Sequence, residues 1–197
     1  MSPRARAILR VFAIVIASTS LSKLPPAVLA LALGEDTATV FLSSFAATML
    51  AGLLLWLPVR GADYQLRLRD GFLVVTLTWV LASAVSALPF MYAPPHLDFA
   101  QAMFEAASGL TTTGATVISG LDQLPKSVLF YRQVLHFIGG MGIVILSVAI
   151  LPMLKIGGTQ LFRAESTGLN RDSQMTPRVA ETAKSLWAVY AGLTLLC

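Results

Sequence analysis

The sequence is poor in charge and almost free of cysteine. Asp, Glu, Lys and Arg make up 12% of its 197 residues, whereas about a quarter of an ordinary globular chain is charged. That deficit excludes disorder and argues against a soluble enzyme. The single cysteine, Cys197, excludes an intrachain disulfide framework and any CxxC metal site. His96 and His136 stand far apart with no carboxylate or cysteine at ligand spacing, which argues against zinc. What is abundant is apolar: 56% of residues, with a mean hydropathy of +0.75. The useful count is therefore how many bilayer crossings fit.

Residues 7–33 form the first long apolar run, interrupted by Ser18-Thr19-Ser20, Lys23 and Pro25-Pro26. At about 1.5 Å per residue it reaches across a hydrocarbon core of about 30 Å, with a kink expected at the paired prolines. A signal peptide with Val28-Leu29-Ala30 at its cleavage site is the rival; an uncleaved span is favoured. Lys23 is expected to snorkel or to pair with a neighbouring helix. An acidic turn, Glu35-Asp36, leads into a second span over 40–57, so residues 1–60 read as an antiparallel hairpin. A polar linker precedes a span over 71–93. Residues 98–110 then form an amphipathic helix too short to cross, followed by a polar stretch and a span over 128–154. Residues 157–184 read as a cytoplasmic linker, and 185–197 as the start of a further span that stops short.

Eleven of the fourteen basic residues fall on one side of this arrangement: Arg4, Arg6, Arg10, Arg60, Arg67, Arg69, Lys155, Arg163, Arg171, Arg178 and Lys184. The opposite side holds Glu35, Asp36, Asp98 and Asp122. Positive charge marks the cytoplasmic face, so the N-terminus is expected inside. The same distribution accounts for a pI near 9.6 without nucleic acid, since no aromatic stacking platform accompanies the cations.

A span, a short helix, a polar loop and another span are the order of a re-entrant pore loop. Non-helical backbone at membrane depth persists only where protein or a water-filled path surrounds it. The loop reads Thr111-Thr112-Thr113-Gly114-Ala115-Thr116. A dehydrated potassium ion requires a ring of oxygens, most simply backbone carbonyls turned inward. Thr112 and Thr113 can supply them, Gly114 permits dihedrals that a side chain would resist, and the helix over 98–110 directs its negative end toward the path. Taken alone, the tract favours an ordinary loop or helix-packing surface; the short helix before it and the spans around it reverse this in favour of the pore reading.

These residues resemble a known family. Phe104-Glu105-Ala106-Ala107-Ser108-Gly109-Leu110 running into the threonine tract, then Gly120-Leu121-Asp122, Phe130-Tyr131-Arg132-Gln133 and Gly139-Gly140-Met141-Gly142, are similar to the first pore repeat of Trk-type potassium uptake proteins of the Trk/Ktr/HKT superfamily. The resemblance continues through Leu151-Pro152, Gln160-Leu161-Phe162-Arg163-Ala164-Glu165 and Glu181-Thr182-Ala183-Lys184, and the N-terminal hairpin matches the Trk branch. It implies an all-α polytopic membrane protein of the cytoplasmic (inner) membrane, contacting membrane lipid. It further implies a pore subunit that takes up potassium through four membrane–pore-helix–membrane repeats. By position, Thr112, Thr113 and Gly114 are the implied filter residues of the first repeat, covering 61–156, with Thr111 and Ala115 at its edges. Potassium is the implied cargo, without an organic cofactor. The implied partners are a second copy, as a homodimer, and a cytosolic nucleotide-binding regulatory subunit. One filter tract supplies about a quarter of a filter, so the chain is expected to be an N-terminal portion of a larger protein, with a tetramer as the alternative.

Other candidates have plainer readings. Gly139, Gly140 and Gly142 serve close helix approach or a mobile gate. They are not a dinucleotide fingerprint, because no strand precedes them. Arg132 is an interfacial anchor or a partner for Glu105 or Asp122, and Glu105 needs such a partner if it lies within the membrane. Two rival functions remain: an intramembrane serine protease using Ser108 and His136, and a scaffold without transport.

Overall fold

The computed structural model describes residues 2–61, 68–153, 184–194 and 196, with side chains omitted at 68–69 and 144–153. The described residues are helices and turns only: α1 (Pro3–Ser20), α2 (Leu24–Leu33), α3 (Thr37–Trp56), α4 (Leu68–Tyr92), α5 (Phe99–Leu110) and α6 (Lys126–Met153), with a further helix over 184–194. Among the described residues, three stretches, Pro3–Leu33, Thr37–Val59 and Asp70–Tyr92, are long and apolar enough to cross a membrane. The chain forms two compact units, Met1–Ile138 and Gly139–Cys197. Most of the linker expected at 157–184, with Arg163, Arg171 and Arg178, lies outside the described residues, as does Lys155.

Local chemistry sets the helix ends. Ser2 caps α1, its hydroxyl accepting from Ala5 N–H at 3.2 Å, with Pro3 in the first turn. The irregularity expected at Pro25-Pro26 lies one turn earlier, as a 3₁₀ turn over Leu21–Lys23. The two prolines occupy the first turn of α2, where a missing N–H costs nothing. Gly34 ends α2 at φ +68, and Glu35 N–H closes back on the Ala30 carbonyl at 2.9 Å. Only Glu35 and Asp36 then separate Gly34 from α3, which therefore returns antiparallel.

In the first unit α1 and α3 lie so close that a Cβ on Gly52 would sit 2.9 Å from Ala17 N and 3.1 Å from the Ala13 carbonyl. Small residues at such a crossing bring backbones into contact, the means by which membrane helices pack without a hydrophobic driving force. Lys23 does not snorkel: its side chain is fully buried and donates to Thr48 Oγ1 of α3 at 3.1 Å. The core beside α5 is aromatic. Tyr131 of α6 stands between Phe41 of α3 (5.4 Å between ring centres) and Phe90 of α4 (5.2 Å), and its hydroxyl donates to the Ser86 carbonyl at 3.0 Å. All three rings are fully buried, which fixes the rotation of α6 at the residue preceding Arg132.

Candidate functional site: the loop after the short helix

The short helix α5 begins at Phe99 because Asp98 and Gln101 form a capping box. The Asp98 carboxylate accepts from Gln101 N–H at 2.8 Å and the Gln101 side chain accepts from Asp98 N–H at 3.4 Å. Ala102, Ala106 and Leu110, one helical stripe, are buried. Gly109 faces α6, where a Cβ would lie 3.0 Å from Leu135 Cβ. The missing side chain is what lets α5 approach that closely.

Beyond Leu110 the backbone turns sharply. Thr111 N–H donates to Ala107 O (2.8 Å), Thr112 N–H to Gly109 O (3.0 Å) and Thr113 N–H to Ser108 O (3.0 Å). Thr112 takes φ +57 and Gly114 φ +74. The first is costly for a β-branched residue and the second suits glycine. Thr111 to Val117 are all exposed.

Hydrogen bonds pin the loop on both sides of a free centre. The Ser108 hydroxyl donates to the Ala115 carbonyl at 2.6 Å, and the Thr112 hydroxyl to the Thr111 carbonyl at 2.7 Å. The hydroxyls of Thr111 and Thr113 lie 2.8 Å apart. Between these, among the described residues, no donor reaches the carbonyls of Thr112, Thr113 or Gly114. Three successive acceptors are thus left open, while the carbonyls of Thr111 and Ala115 are occupied.

Glu105 anchors the C-terminal part of the loop. One carboxylate oxygen accepts from the Thr116 hydroxyl at 2.5 Å and from Val117 N–H at 2.7 Å; the other accepts from Arg132 Nε at 3.1 Å. The Glu105 side chain is wholly buried and that of Arg132 is 10% exposed, so each charge depends on the other. Thr116 Oγ1 also accepts Ile118 N–H at 3.0 Å. Of the partners considered for Arg132, the structure pairs it with Glu105. The Arg132 carbonyl accepts from His136 Nδ1–H at 2.7 Å, and the other ring nitrogen, Nε2, would be 3.9 Å from a Cβ on Gly114.

Ser108 and His136 form no nucleophile and base pair: the Ser108 proton is directed at the Ala115 carbonyl, which cannot act as a base. In the second unit, a Cβ on Gly140 would lie 2.6 Å from the Tyr190 hydroxyl, so Gly140 is a notch filled by that ring. Gly139 is buried and Gly142 half-buried. Two features were not visible in the pattern of residues: the Ser108 bond to the loop, and the approach allowed by Gly109. A serine and a glycine one turn before the tract were their only trace.

Residues 37–197 match the family model TrkH, described as a cation transport protein. The chain is 48% identical over 193 residues to the Trk system potassium uptake protein TrkH of Vibrio parahaemolyticus, and 46% identical over 193 residues to that of Escherichia coli. It is 43% identical over 179 residues to the Trk system potassium uptake protein TrkG of Escherichia coli. The two TrkH alignments cover 98% of this chain and 40% of each relative, so the chain spans about two-fifths of their length. The crystal structure of the potassium transporter TrkH from Vibrio parahaemolyticus superposes with a TM-score of 0.82 at 43% identity, over 98% of this chain and 38% of that one.

Proposed function

The chain belongs to the TrkH family of cation transport proteins, and on that premise we propose that it supplies one filter strand of a pore that takes up potassium. The observation that carries this reading is the run of three unoccupied carbonyls at Thr112, Thr113 and Gly114, exposed and held between anchored neighbours. Carbonyl oxygens in such a run replace the water that a potassium ion sheds. The occupied carbonyls of Thr111 and Ala115 narrow the ion-facing stretch to 112–114, with the two flanking residues as its supports. The α5 C-terminus adds its negative dipole end next to the strand.

In this reading residues 1–60 are a hairpin in front of the first pore repeat, 61–156. The protein lies in the inner membrane with its N-terminus in the cytoplasm, which the clustering of basic residues supports. Three further strands complete the filter. Homodimer formation and a cytosolic nucleotide-binding regulatory subunit follow from the family resemblance. Glu105 and Arg132 hold the strand without touching the ion. The Trk system names of the relatives support potassium as the cargo. No observation favours the protease or the inert scaffold.

The test is growth of an uptake-deficient cell on limiting potassium, with the protein expressed from its whole gene. Gly114→Asp places a charged side chain beside the open carbonyls at φ +74 and is expected to abolish rescue. Gly61→Asp, where a Cβ meets nothing within 4 Å, is expected to preserve it. Equal rescue by both variants overturns the assignment.

A further inference from the structure

We propose that Glu35 is a positioning residue for the filter: its carboxylate, on the outer turn of the hairpin, clasps the first turn of α6 and so fixes Arg132, Glu105 and the strand that Glu105 holds. The proposal rests on the potassium-uptake reading above.

The first turn of any helix leaves N–H groups without intrahelical partners, and a carboxylate there is favoured by the helix dipole. In α6 that carboxylate comes from another element. Lys126 N–H donates to Glu35 Oε1 at 2.9 Å, Ser127 N–H donates to Oε2 at 3.2 Å, and the Ser127 hydroxyl donates to Oε2 as well. Thr37 Oγ1, from the start of α3, lies 2.7 Å from Ser127 Oγ and 3.3 Å from Oε2. Ser127 and Thr37 are buried. The aim of the carboxylate is set by Gly34, whose left-handed backbone turns Glu35 back over the end of α2.

The clasp and the filter strand belong to one chain of contacts. Five residues along α6 from Ser127 is Arg132, and Tyr131 between them is locked by Phe41, Phe90 and the Ser86 carbonyl. Arg132 holds Glu105, and Glu105 holds Thr116 and Val117 at the C-terminal end of the loop. The segment from Val117 to Lys126 runs directly from the strand to the clasp. Release of Glu35 therefore frees the Lys126 end of that segment directly and acts on the Val117 end through Arg132 and Glu105.

The ionised form is the working one. Burial by itself would raise the Glu35 pKa, but donation from the Ser127 hydroxyl and N–H, from Lys126 N–H and from Thr37 outweighs it and holds the carboxyl below its ordinary range. The other titratable groups lining the same outer cleft are Asp36 on the same turn, Tyr92 at the end of α4, His96 just after it, and Lys126. None of the three outside α6 donates to the Glu35 carboxylate.

The experiment uses the protein from its whole gene in uptake-deficient cells, reading rubidium uptake and its competition by sodium. Glu35→Gln is expected to weaken discrimination against sodium by about threefold to tenfold, the scale of losing one ordinary hydrogen bond. Glu35→Asp should recover part of it, and Asp36→Asn should leave it unchanged. A change in this ratio is not produced by altered protein abundance. If Glu35→Gln fails to reach the membrane, Ser127→Ala, which removes one donor, carries the test and should shift the ratio the same way by less. A wild-type ratio in Glu35→Gln, or in Ser127→Ala where that is used, overturns the clasp while leaving the uptake reading intact. Absence of uptake by the unaltered protein overturns both.

Discussion

Replacing Glu105 by glutamine is the sharpest perturbation of the candidate strand, because three donors converge on that one carboxylate. Glutamine keeps the shape but offers one acceptor oxygen. If that oxygen serves Thr116 and Val117, the amide N–H₂ faces Arg132 Nε, donor against donor; if it turns to Arg132, the other two lose their acceptor. Uncoupling a buried ion pair from one side costs about 3–5 kcal/mol. The retained oxygen offsets part of this, so a loss of about 3 kcal/mol is expected. Arg132→Met strands the carboxylate with two remaining donors and should cost about 2–4 kcal/mol. The double variant removes both charges, and its loss should fall short of the sum by about 1–3 kcal/mol. Reversible unfolding in mixed micelles measures all three, and rubidium against sodium uptake reports the strand itself. Additivity within about 0.5 kcal/mol, with unchanged ion discrimination in Glu105→Gln, would refute the argument that this pair holds the loop.

Three other outcomes are expected. Gly109→Leu forces α5 away from Leu135, whose Cβ already lies 3.0 Å from where a side chain would begin; a loss of about 1–3 kcal/mol is expected, partly restored by Leu135→Ala. Ser108→Ala removes the bond to the Ala115 carbonyl and should cost about 1 kcal/mol while uptake persists; complete loss of uptake together with capture of Ser108 by a fluorophosphonate would instead favour the protease. The depressed pKa of Glu35 means that its bonds stabilise the folded state fully at pH above the ordinary carboxylate range and are lost as pH falls through the lower, folded value. Thermal stability should therefore drop more steeply in acid for the unaltered protein than for Glu35→Gln, and parallel acid profiles would contradict this.

The helical class was legible because apolar run length and charge placement are properties of composition along the chain, and bilayer thickness converts them directly into spans. The short helix was legible for a different reason: residues 98–110 are amphipathic and too few to cross a bilayer, whereas the capping box that sets its start emerged only in the structure. Pairing of Glu105 with Arg132 could be offered but not chosen over Asp122, since which face α6 turns to α5 depends on Tyr131 lodging between Phe41 and Phe90, a contact among three distant segments. Glu35 read only as an acidic turn, because its partners Lys126 and Ser127 are 91 and 92 positions away. The paired prolines misplaced the irregularity in the first span: proline marks where a helix tolerates a missing donor, and the 3₁₀ turn lies just before it. For Lys23 both snorkelling and pairing with a neighbouring helix were open, and the structure takes the second, with Thr48 of α3 as the partner.

The most direct measurement of the central claim is anomalous diffraction from crystals of the whole protein grown in rubidium or thallium salt. An ion peak is expected within coordination distance of the carbonyl oxygens of Thr112, Thr113 and Gly114, lost in Gly114→Asp. Ion peaks confined to other residues, in a protein that still takes up potassium, would contradict it.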